Sequence, residues 1–125
     1  DEVNAYIDET SAENMQEFIL PLKQSIADLS ELTQEVLIKS SVNPNELGSA
    51  ANDYLHVFGY TAMAFVWAKM VEVSLEKQQS GDSFYLSKIK TARYYFARML
   101  PRTQSLIGAI KAGSQTLFDI DDDLF

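Results

Sequence analysis

The chain contains one histidine and no cysteine. A thiolate nucleophile, a disulfide framework and a cysteine-based metal site are therefore excluded by composition. A di-iron helical bundle needs two Glu-x-x-His pairs, and His56 alone cannot supply them. A Ser-His-Asp arrangement would have to use His56, which lies inside YLHVFGYTAMAFVWA (54–68), the most apolar stretch of the chain. That setting favours a core or interface imidazole with one nitrogen satisfied over a general base. The five glycines stand too far apart to form a phosphate-cradling loop. The run Asp121-Asp122-Asp123 lacks the Asp-x-Asp-x-Asp-Gly spacing of a calcium loop and reads as a solvated tail. Residue chemistry assigns no catalytic, cofactor-binding or metal-ligating role within this chain.

The elements that would position these residues are helical. At 125 residues and 46% hydrophobic the chain suits one domain, able to bury roughly two-thirds of its unfolded surface. A net charge of −8 argues against nucleic acid or an anionic membrane as partner. No strand alternation or hairpin signal occurs. Thr10-Ser11-Ala12-Glu13 reads as a capping box, followed by Met15, Phe18, Ile19, Leu22, Ile26, Leu29, Val36 and Leu37 at helical spacing. Pro21 inside that run predicts a kink or the end of a short preceding helix. Asn43-Pro44-Asn45-Glu46 opens a second helix, with Asn as cap and Pro at the first position. Asp82 or Ser83 caps a third, which Gly113 ends. Its core positions read Tyr85, Ile89, Ala92, Phe96, Met99 or Leu100, Thr103, Ile107 and Ile110, with Tyr94-Tyr95 pointing outward. The expectation is all-α: an up-down bundle of three long helices, about 11–39, 44–80 and 83–112, with a short C-terminal tail. Residues 1–10 are expected to be linker from a preceding domain and 11–125 a single helical domain. The first residue is Asp1, not methionine, which suggests a piece of a longer protein. No signal peptide opens the chain, so the cytoplasm is the default location.

Between Tyr54 and Ala68 the second helix has no polar face, so it must be buried all round. Two neighbours in a three-helix bundle cover about half its circumference. The remainder needs another domain or subunit, and Tyr54, Phe58, Gly59, Tyr60, Met63 and Trp67 are the interface candidates. A membrane span is the competing reading, but 15 residues with His56 and Gly59 inside fall short of about 20, which favours a buried interface. Gly59 is expected to admit a neighbouring backbone or ring closely. Charge is segregated: residues 1–46 hold 10 acidic and 2 basic groups, whereas residues 83–112 hold six basic groups and no acid. Those cations either pair with the acidic first helix or, through Arg93 and Arg98 with Tyr94 beside them, anchor an acidic partner or anionic ligand. They scatter around the helix axis, which favours simple pairing.

DYLHVFGYTAMAFVWAKM (53–70), FYLSKIKTARYYFARMLP (84–101) and IKAGSQTLFDIDDDLF (110–125) together resemble the C-terminal extension of one branch of acyl-CoA dehydrogenases. That branch includes enzymes acting on 3-methylthiopropanoyl-CoA. The resemblance covers the chain from about Asn43 and is loose before it. It implies a helical accessory domain, inactive alone, at the end of a FAD-dependent enzyme. In such enzymes a proton leaves the α-carbon of an acyl-CoA and flavin accepts a hydride from the β-carbon. The flavin, the catalytic base and the CoA pocket belong to upstream domains, so none of their residues maps onto this chain. The implied partners are those upstream domains, further subunits of a homo-oligomer, and an electron-transfer flavoprotein. The rival readings are a free-standing helical interaction module and a small enzyme built around His56.

Overall fold

A computed structural model describes residues 2–78 and 81–119. The described residues form helices and connecting turns with no strand: α1 (Glu2–Glu9), a 3-10 turn (Glu13–Met15), α2 (Gln16–Val42), α3 (Asn45–Lys77), α4 (Ser83–Tyr94), a π-helical turn (Tyr95–Met99), α5 (Arg102–Lys111) and α6 (Gln115–Phe118). The all-α bundle stands, with α3 packed along α2, α4 and α5, and α2 in turn touching the third helix through Glu17–Arg93 and Phe18–Phe96. The acidic run 121–123 lies outside the described residues.

Residues 2–9, expected to be linker, form a helix instead. Ile7 is buried, and the Tyr6 ring stacks on Phe65 with centroids 5.4 Å apart. The capping box at Thr10 is not made. The Thr10 hydroxyl turns back to donate to the Tyr6 carbonyl at 2.7 Å and closes α1, while the 3-10 turn and α2 begin at Ala12 and Met15 with no side-chain cap. The Gln16 amide bridges the joint by donating to the Thr10 and Ala12 carbonyls, both at 3.1 Å. From there α2 runs through Pro21 without ending. It buries Phe18, Ile19, Leu22, Leu32 and Val36, whereas Leu37, one residue round from Val36, is exposed.

The other boundaries follow their signals. The Asn43 side-chain oxygen accepts from the Asn45 N–H at 3.1 Å, and the Asp82 carboxylate accepts from the Phe84 N–H at 2.9 Å. Gly113 takes φ +79° after α5, a left-handed stop that glycine adopts without steric cost. The Glu46 carboxylate then receives the Ser114 N–H at 3.1 Å and its hydroxyl at 2.8 Å, tying the C-terminal segment to the start of α3.

The third long helix is not continuous. Buried positions step 89, 92, 95, then 100, 103, 107 and 110. The step of five falls where the Leu100 N–H bonds the Tyr95 carbonyl at 2.9 Å, an i→i+5 bond just before Pro101. Tyr95 follows Ile89 and Ala92 into the core at steps of three, so its expected outward placement is wrong, and the extra residue brings Leu100 back to the same face. Phe96 is left half-buried, edge-on to Phe18 at 5.4 Å. The core is in two clusters. One joins α1, the first half of α2, the second half of α3 and α4; the other joins Leu32 and Val36 with Ala50, Val57, Ile107 and Ile110. Burying side chains such as Phe18, Leu22 and Leu32 stabilises the fold by about 1.5–3 kcal/mol each.

Candidate interaction face

Helix α3 buries Ala50, Val57, Thr61, Ala64, Ala68, Val71 and Ser74 against its two neighbours. The opposite side is left uncovered and apolar: Leu55 is 66% exposed, Phe58 52%, Met63 48%, Val66 47% and Val73 46%. Phe58, Gly59 and Met63, among the expected interface residues, lie on this uncovered side. Tyr54, Tyr60 and Trp67 do not. They are half-buried at its edges, held by the domain itself. The Tyr54 hydroxyl shares a 2.7 Å hydrogen bond with that of Thr33, the Tyr60 carbonyl accepts from the Tyr95 hydroxyl, and Trp67 stacks against Tyr95 at 6.4 Å. Burial of Tyr95 pushes its hydroxyl up to about 12, with Tyr60 adding to the rise.

A side chain added at Gly59 would meet nothing within 4 Å, so no described part of this chain makes the expected close approach. His56 is not a core residue: it is exposed, and its Nδ1 donates to the Asn52 carbonyl of its own helix at 2.9 Å. The helix around it is apolar in composition, but no other described helix covers its His56 side. Of the basic residues, Arg93 forks onto Glu17 of α2 at 2.8 and 3.2 Å, and Lys111 lies 3.6 Å from Glu31. Pairing between the acidic and basic helices accounts for these two. Arg98 is exposed without an acidic partner among the described residues, and Tyr94 is 60% exposed beside it. The six cations do not converge on one site.

A family model for acetyl-CoA dehydrogenase C-terminal-like domains matches residues 1–121. The chain belongs to this family. The match begins at residue 1, so α1 lies within the acyl-CoA dehydrogenase C-terminal-like domain, where the sequence signal was weakest. No curated protein matches the chain. Among the described residues no cluster of His, Asp and Glu is placed to hold a metal, and no helix is long and apolar enough to cross a membrane.

An apolar groove of about 790 Å³ runs between α1, α3 and α4, lined by Val3, Phe65, Val66, Met70, Val73 and Phe84 among others. Lys69 and Lys88 stand at its rim, each ammonium 5.1 Å from the centroid of a ring, Phe65 and Phe84 respectively. Beside it the Tyr6 hydroxyl donates to Glu72 at 2.9 Å, and burial, then this carboxylate, hold it well above the usual phenol range. The available signal is Val3, Tyr6 and Ile7, apolar at i, i+3 and i+4, which a linker reading of residues 1–10 discards.

Proposed function

We propose that this chain is the helical C-terminal accessory domain of a FAD-dependent acyl-CoA dehydrogenase. It holds no catalytic group, and its uncovered α3 face seals against the catalytic body or across the oligomer. The observation that carries this reading is the exposed, mostly apolar side of α3 from Leu55 to Val73, broken by Lys69, on an otherwise acidic chain. A patch of that kind favours association when left bare. The described residues do not fit a flavin: the glycines make no phosphate loop, and the main groove is largely apolar. Dehydrogenation of the acyl-CoA, and delivery of electrons to an electron-transfer flavoprotein, fall to the upstream domains.

The test is Met63→Glu and Val66→Glu in the intact enzyme. Both side chains are about half exposed and outside the core clusters, so the domain keeps its fold, checked by circular dichroism. Burying an unpaired carboxylate in an apolar contact costs several kcal/mol. The expected outcome is a smaller assembly or looser flavin retention with a native helical spectrum. Unchanged assembly, flavin content and activity in both variants would refute the interface reading.

A further inference from the structure

We propose that the uncovered face of α3 pairs antiparallel with the same face in a second copy of this chain, crossing at Gly59 and Ala62 about a two-fold axis. This rests on reading that face as an interface, and adds its occupant and orientation. Gly48, Asn52, Leu55, Gly59, Ala62, Val66, Lys69 and Val73 follow one another at steps of 4, 3, 4, 3, 4, 3 and 4, and all are exposed. That is the seven-residue repeat of a helix-pairing seam, distinct from the positions α3 buries in the core, and its second half, Ala62 to Val73, floors the apolar groove between α1 and α4.

The seam is self-complementary, as a two-fold contact requires. Its steps are symmetric about the midpoint between Gly59 and Ala62. Antiparallel pairing sets Gly59 opposite Ala62 of the second copy, Leu55 opposite Val66, Asn52 opposite Lys69, and Gly48 opposite Val73. Small residues meet at the crossing, where backbones come closest, and larger ones meet on either side. Phe58 and Met63 flank the seam on opposite sides, so each lies beside its own counterpart. Gly59 lowers helix stability by about 1 kcal/mol relative to alanine. No described residue uses the space it leaves, whereas a crossing helix would.

Charge selects the orientation. A parallel pair would set Lys69 against Lys69 and Asn52 against Asn52. The antiparallel pair holds the two lysines about 26 Å apart at 1.5 Å per residue, beyond the ~10 Å screening length, and gives each ammonium an amide oxygen. From Gly48 to Val66 the seam carries no charge.

The test places a benzophenone-bearing amino acid at Phe58 or at Val73 of the intact enzyme, irradiates it, and maps the joined peptides. The expected products are chain pairs of doubled mass: position 58 joined to residues 55–62 of the other copy, position 73 joined to residues 45–52. Gly59→Leu in the position-58 background is expected to lower the yield at least tenfold with circular dichroism unchanged. Joining of position 73 to the region around Val73 of the other copy would overturn the antiparallel arrangement, as would a yield indifferent to Gly59→Leu. Joining of both positions only to upstream domains would overturn the second-copy proposal while leaving the interface reading intact. No cross-link from either position would sink both.

Discussion

Replacing glycine by alanine at three positions should shift stability in two directions. At Gly59 the backbone is helical and an added Cβ meets nothing within 4 Å, so only the propensity gain remains. Gly59→Ala is expected to stabilise the isolated chain by about 1 kcal/mol. For a domain this size that raises Tm by roughly 4 °C. At Gly113 the backbone sits at φ +79°, and a Cβ would lie 3.3 Å from a Glu46 carboxylate oxygen. The left-handed conformation costs alanine about 1–2 kcal/mol. Displacing Glu46 weakens its two bonds to Ser114, each worth about 1 kcal/mol. Gly113→Ala should therefore cost about 2–3 kcal/mol. Gly81→Ala isolates the backbone part, because φ is +81° there with open space around it. Urea unfolding followed by circular dichroism, at concentrations low enough to keep the chain monomeric, gives all three. Destabilisation by Gly59→Ala, or a Gly113→Ala cost no larger than that of Gly81→Ala, would refute the reasoning.

Alkaline pH should weaken the fold through Tyr95. Its folded value of about 12 exceeds the ordinary 10, so its stabilisation is full below pH 10 and is lost as pH climbs to 12, a change of about 2–3 kcal/mol. Tyr95→Phe gives up one hydrogen bond, about 1 kcal/mol, but cannot ionise. Wild type should be the more stable at pH 8 and the less stable near pH 12; parallel urea midpoints across that range would contradict this. Glu46→Ala removes both acceptors of Ser114, so hydrogen exchange should speed up across 114–118 while α2 stays protected. Uniform exchange behaviour in wild type and variant would show that Glu46 does not hold that segment.

The bundle was legible because its breaks are chemically plain. Asn43-Pro44, Gly81-Asp82 and Gly113 act through caps and a left-handed backbone that any helix end needs. The uncovered side of α3 was legible as well, since a helix apolar all round cannot be satisfied by two neighbours. Which of its residues face outward was not. Tyr54 and Trp67 turn toward Thr33 and Tyr95, and Tyr60 packs against the core, contacts distant in sequence that periodicity on one helix does not reveal. His56 misled because composition reports a residue's sequence neighbours and not the water beside it. Residues 2–9 were missed because eight residues give too short a periodic signal, although tertiary packing on Phe65 and Glu72 settles them.

The five-residue turn at Tyr95–Met99 makes the domain sensitive to length where it tolerates substitution. Ala97 and Arg98 are exposed, and exchanging either for another helix former disturbs no packed contact. Deleting one residue between 96 and 99 is another matter. It would restore a regular turn and rotate everything downstream by about 100° relative to α4. Ile89 and Ala92 could then stay seated only by lifting Ile107 and Ile110 off Leu32 and Val36, or the reverse. Insertions and deletions should thus be purged from this stretch while its surface letters drift freely.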